Sequence, residues 1–110
     1  MGSIIYPGVH IDVDVRIGSF CVINKMVTIG HDSVIGDYST FAPGVNLGGT
    51  NSVGEGVDFG INACSIQNLS VGAWSVIGAG SVLIRNVLEN TTVAGNPARE
   101  IKPGIKTRLK

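Results

Sequence analysis

The sequence predicts an all-β chain wound as a parallel prism, and three spacings predict it. A large apolar residue recurs at every sixth position from Ile5 to Leu83, glycine often follows it, and a small or β-branched residue stands four places after it. The apolar set is Ile5, Ile11, Ile17, Ile23, Ile29, Ile35, Phe41, Leu47, Val53, Phe59, Val71, Ile77 and Leu83, with Ser65 as its one polar member. A helix would space apolar residues about 3.6 apart and a plain strand every two. Neither sustains a period of six. Short strands that each send one large and one small side chain inward, joined by glycine-bearing corners, do reproduce it. Three such walls make a coil of 18 residues.

The second spacing supplies the corners. Gly18, Gly30, Gly36, Gly48, Gly54, Gly60, Gly72 and Gly78 each follow an apolar position, with Asn24 and Ala42 as milder variants, and all are read as turn residues. The third fills a narrow interior with Val9, Val15, Cys21, Val27, Ser33, Ser39, Val45, Val57, Ala63, Ser75 and Ser81. Residues 1–4 read as a lead-in, and residues 5–88 supply fourteen six-residue units without an insertion, somewhat under five coils. Ser65, followed by Ile66, is a local fault. The phase is lost after Leu88, so 89–101 reads as a short irregular closing segment and 102–110 as a basic tail with Lys102, Lys106, Arg108 and Lys110. Solvation is the plain role of such a tail.

Composition narrows the function classes. At 110 residues the chain forms one domain of modest size, for which partner subunits help burial. Apolar residues make up 44% but aromatics only 5%, so the interior relies on Ile, Val, Leu and small side chains. Eight basic and eight acidic residues balance to zero, which argues against nucleic acid or a membrane surface as the main partner, since both call for a positive field. Two cysteines and no charged-then-apolar leader fit a cytoplasmic protein. No apolar run approaches the roughly 20 residues that span a bilayer.

The chain has two histidines, His10 and His31, the side-chain type best suited to act as a general base near neutral pH. His31 stands two places after an inward Ile, where the repeat puts side chains at an outward corner. One-coil steps along that corner give Val13, His31, Gly49, Gln67 and Arg85, so a glycine lies beside the imidazole on the following coil. A surface histidine without a role is the plain alternative. Cys21 fills an inward slot, and Cys64 falls in another corner register with no activating base beside it; both read as structural. A three-histidine zinc site is out of reach, since His10 and His31 fall at different corners, and no metal is expected. The regular Thr columns of an ice-binding surface are absent from the sequence.

The repeat resembles that of the hexapeptide-repeat acyltransferases, and the resemblance covers nearly the whole chain. It implies a left-handed parallel β-helix. The run His31-Asp32-Ser33-Val34-Ile35-Gly36-Asp37-Tyr38, then Ala42-Pro43-Gly44-Val45 and Gly60-Ile61-Asn62-Ala63-Cys64, is similar to the branch containing bacterial sialic acid O-acetyltransferases and nucleotide-sugar N-acetyltransferases. That likeness implies His31 as catalytic base, strengthened by Asp32, with Asn24 in support near the acetyl group. Adjacent side chains of an extended chain point to opposite faces, so Asp32 reaches His31 only if the corner bends it back; a turn residue is the equal alternative for Asp32, as for Asn24.

The resemblance also implies acetyl-CoA as acyl donor. Its pantetheine arm would lie in a groove between subunits of a homotrimer, along Thr40, Ile61 and Ala79 with Gly60 and Gly78 beside them, and Val93-Ala94-Gly95-Asn96-Pro97-Ala98 would close the helix and border the channel. Phe20, Tyr38 and Trp74 on flat walls would favour packing against copies. The expected acceptor is a small molecule, a sugar or nucleotide sugar. Members of that branch carry an N-terminal sugar-gripping domain, whereas here the repeat begins almost at once, which leaves the acceptor open. A non-catalytic β-helix serving as a scaffold is the competing reading.

Overall fold

Every sixth residue from Ile23 to Leu83, Ser65 excepted, is buried in the core, and the resulting prism is a left-handed parallel β-helix. The computed structural model describes residues 2–101; the basic tail read at 102–110 lies outside them. Fourteen two-residue strands form three walls. The first wall stacks Ile4–Ile5, Val22–Ile23, Thr40–Phe41, Asp58–Phe59 and Val76–Ile77, and ends with Thr92–Gly95 and Ala98–Glu100. The second stacks His10–Ile11, Thr28–Ile29, Asn46–Leu47, Cys64–Ser65 and Val82–Leu83, and the third Arg16–Ile17, Val34–Ile35, Ser52–Val53 and Ser70–Val71. Pairing is parallel at one-coil offsets, as in Ile5 with Ile23 and Ile23 with Phe41.

Side chains alternate across each strand, so its second residue enters the core while its first faces outward. Ile23, Phe41, Phe59 and Ile77 form a fully buried column on the first wall, where Phe41 and Phe59 stack with centroids 4.8 Å apart. Dispersion within such a stack and the apolar area it removes from water are the main stabilising terms. Inward serines other than Ser81, whose Oγ is buried without a partner, bond across coils: Ser39 Oγ donates to Gly54 O at 3.0 Å and accepts from Val57 N–H at 3.2 Å. Ser65 is half-buried, yet its strand still pairs on both sides.

The corners differ from the sequence reading. The turn falls on the second and third residues after each inward apolar residue, and the third carries the left-handed backbone: Asp14, Phe20, Met26, Asp32, Tyr38, Thr50, Asn62, Asn68 and Trp74 all have φ between 56° and 64°. The glycine directly after the apolar residue therefore does not make the turn. It is needed because the next coil's backbone passes too near for a Cβ, which at Gly60 would stand 2.6 Å from Ala79 N. Phe20, Tyr38 and Trp74 likewise sit on the corner between the third and first walls rather than on flat walls, with Phe20 and Tyr38 stacked at 5.6 Å.

The last coil is shorter by two residues. Val87 pairs with Val71 and Val93 with Ile77, each 16 apart instead of 18, so the phase changes between Leu83 and Val87, ahead of Leu88. The chain then reverses in an antiparallel hairpin of Thr92–Gly95 with Ala98–Glu100 across a cis Asn96–Pro97 bond. Among the described residues no helix is long and apolar enough to cross a membrane.

Candidate active site

The corner between the second and third walls carries His31. Its Nδ1 lies 3.0 Å from Asp32 Oδ2, and the two side chains are 54% and 56% exposed. The pairing between neighbours in sequence is possible because Asp32 has φ 59°: the left-handed turn removes the up-and-down alternation of extended chain. An ion pair this exposed is worth at most about 1 kcal/mol, so orientation is its larger effect. In the tautomer with Nδ1–H donating to the carboxylate, Nε2 carries the free lone pair and can accept a proton.

The backbone holds this corner on both sides along the axis. Asp32 N–H donates to Val13 O at 3.0 Å, and Thr50 N–H donates to His31 O at 2.7 Å. The imidazole leans over Gly49 on the next coil, where a Cβ would stand 2.6 Å from Nε2. Gly49 thus makes room for the ring in the position seen.

A second group of candidate residues gathers at the preceding corner, between the first and second walls. Asn24, Gly60 and Gly78 fall in one column, with Ile61 and Ala79 in the next. Ile61 is 53% exposed, and Ala79 is exposed as well. Thr40 stands on the first wall leading into this corner, and its hydroxyl donates to Asp58 Oδ1 at 2.9 Å, so that group is already engaged. One chain therefore brings Asn24, Gly60, Ile61, Gly78 and Ala79 together and His31 with Asp32 together. The second wall stands between the two groups.

Of the remaining chemistry-bearing residues, Cys21 is placed as the repeat indicated and His10 and Cys64 are not. His10 and Cys64 lie on strands of the second wall rather than at corners, because each directly precedes an inward position. Cys21 is fully buried in its inward slot, and both thiols are free. Among the described residues no group of three His, Cys, Asp or Glu is placed to hold a metal ion.

Sequence reasoning missed Asn51, which fills the inward slot below the Gly48-Gly49-Thr50 corner and is 1% exposed. The available signal was an amide at a position that the repeat reserves for small or β-branched residues.

Residues 14–49 match the family described as bacterial transferase hexapeptide (six repeats). The chain is 40% identical over 106 residues to the GDP-perosamine N-acetyltransferase of Escherichia coli O157:H7, covering 92% of this chain and 48% of that protein. It is 34% identical over 105 residues to serine acetyltransferase 2 of Arabidopsis thaliana, covering 86% and 32%. Among solved structures, WeeI from Acinetobacter baumannii AYE superposes with a TM-score of 0.89 at 34% identity, covering 91% of this chain and 50% of that one. A variant of the GDP-perosamine N-acetyl transferase from Caulobacter crescentus, in complex with CoA and GDP-perosamine, superposes with a TM-score of 0.70 at 26% identity, covering 90% and 57%. The chain spans half or less of the length of the curated relatives named. By its repeat, its fold and these likenesses, the chain belongs to the bacterial transferase hexapeptide-repeat family.

Proposed function

We propose that the chain moves an acetyl group from acetyl-CoA to a hydroxyl or amine of a small acceptor, a sugar or nucleotide sugar, with His31 as general base. The observation that carries this reading is the half-exposed corner imidazole bonded to Asp32 through Nδ1, with Nε2 beside Gly49. In the reaction, Nε2 takes the acceptor's proton as its oxygen or nitrogen attacks the thioester carbonyl. A backbone N–H stabilises the tetrahedral oxyanion. Collapse breaks the C–S bond, and the departing thiolate recovers the proton from the imidazolium. No acyl-enzyme forms, and Cys64 and Cys21 take no part.

For the donor, the exposed column at Ile61 and Ala79 offers an apolar track suited to a pantetheine arm, with Gly60, Gly78 and Thr40 bordering it and Asn24 near the acetyl group. This column and His31 occupy different corners of one chain. A site using both is completed by the corner of a second copy, and a homotrimer with three sites satisfies that for every chain. The two free cysteines fit the reducing conditions of the cytoplasm.

The likeness to a protein bound to CoA and GDP-perosamine supports the donor and a nucleotide-sugar acceptor. The likeness to serine acetyltransferase favours a second acceptor, the hydroxyl of a small amino acid. The test is calorimetric titration of acetyl-CoA, followed by thiol release with amino sugars, nucleotide amino sugars and serine in separate arms. His31→Ala is expected to abolish turnover and leave acetyl-CoA binding intact. Absence of acetyl-CoA binding would refute the enzyme reading, and turnover surviving in His31→Ala would mean another base.

A further inference from the structure

The slot filled by Asn51 is the one inward small-residue position, among the described residues, that holds an amide; the others carry Val, Cys, Ser, Ala or Leu. Inward serines such as Ser39 link one coil to the next through a carbonyl 15 residues on. Asn51 makes the same link, its Nδ2 donating to Ile66 O at 3.1 Å, and also reaches back to donate to Gly48 O at 2.7 Å. Ser33 adds to the network, accepting from Asn51 N–H at 3.1 Å and donating to Gly48 O at 3.5 Å. The four groups lie directly beneath the corner on which the imidazole of His31 rests.

That corner has a particular need for support. Gly48 must lack a Cβ because Gln67 N would stand 2.7 Å from it, and a Cβ at Gly49 would displace the His31 ring. Two consecutive glycines leave the backbone free to move, yet Thr50 N–H must stay aligned on His31 O. The amide is retained at a cost, since Asn51 Oδ1 is buried without a partner. Valine in the same slot, as at Val45 and Val57, would avoid that cost. A buried polar group that breaks the local rule marks a place where a requirement other than apolar packing prevails.

We infer that Asn51 is a positioning residue for the acetyl transfer proposed above: by pinning Gly48 O to its own coil and Ile66 O to the next, it fixes the Gly48-Gly49-Thr50 corner that holds the His31 imidazole. The inference rests on His31 being the base. It is tested with Asn51→Val, which suits the slot, and Asn51→Ser, which keeps a donor for Ile66 O and loses the reach back to Gly48 O.

Two measurements on the full chain are combined: amide hydrogen exchange at Thr50 with Gly60 as internal reference, and steady-state kinetics. In both variants Thr50 protection is expected to fall at least tenfold with Gly60 unchanged, while kcat falls at least tenfold and KM for acetyl-CoA stays within twofold. Unchanged Thr50 exchange overturns the inference. So does lost protection with an unaltered kcat, which would make the clamp structural only. Failure of the acetyl-transfer reading is recognised separately, by absence of turnover in the unmodified chain.

Discussion

Adding one methyl group at Gly49 probes the proposed site most directly. In Gly49→Ala the new Cβ would stand 2.6 Å from His31 Nε2, 2.9 Å from Cε1 and 3.0 Å from Cδ2, against ordinary contact beginning at 3.4 Å. The imidazole has to withdraw by about 0.8 Å, and it can, since the side chain is half exposed and turns about its own bonds. The fold is spared: Gly49 does not have the positive φ that excludes alanine, and alanine in place of glycine at a compatible position stabilises by about 0.4–1 kcal/mol through the unfolded chain. Catalysis is not spared, because a displacement of roughly 1 Å in a reacting group costs on the order of a hundredfold in rate, about 2.7 kcal/mol. The assay pairs thermal unfolding with acetyl-CoA-dependent thiol release. The expected result is a melting temperature equal to or above that of the unmodified chain, with kcat/KM near one hundredth. Turnover within threefold of the original would refute the assignment of Nε2 as the acting atom.

The remaining substitutions separate orientation, donor binding and stability. Asp32→Asn removes the carboxylate that orients Nδ1–H and is expected to lower kcat roughly tenfold to a hundredfold with KM for acetyl-CoA unchanged in the same thiol-release assay. Ile61→Asp places a charge in the apolar column at a half-exposed position. Its stability should shift by no more than about 0.5 kcal/mol, while calorimetry should show acetyl-CoA affinity reduced at least tenfold. Phe41→Ala deletes a fully buried ring and its stack with Phe59, and urea unfolding should show a loss of about 3–5 kcal/mol.

Particular residues show how far the sequence could be read. The inward column Ile23, Phe41, Phe59 and Ile77 was legible because burial on a two-residue strand depends on spacing alone, which the chain states openly. The outward corner position of His31 followed from the same arithmetic. The corner glycines were legible as necessary but for the wrong reason: a glycine that admits a neighbouring backbone and one that adopts positive φ look alike in sequence, and only the packed coils tell them apart. His10, Cys64 and Trp74 were misplaced by a residue or two within the six-residue unit, which is enough to move a side chain between wall and corner. The shortened final coil was hidden because a deletion of two residues alters pairing partners before it visibly breaks the apolar pattern.

By itself, then, the sequence determined the three-walled prism, its core and the outward station of His31, because a strict period fixes which side chains share a face. Only the tertiary structure decided that Asp32 turns back to meet His31, how closely the ring lies over Gly49, and that Asn51 ties together the corner beneath it. These depend on backbone torsion at a turn and on contacts between residues one coil apart. Such contacts exist only once the coils have stacked.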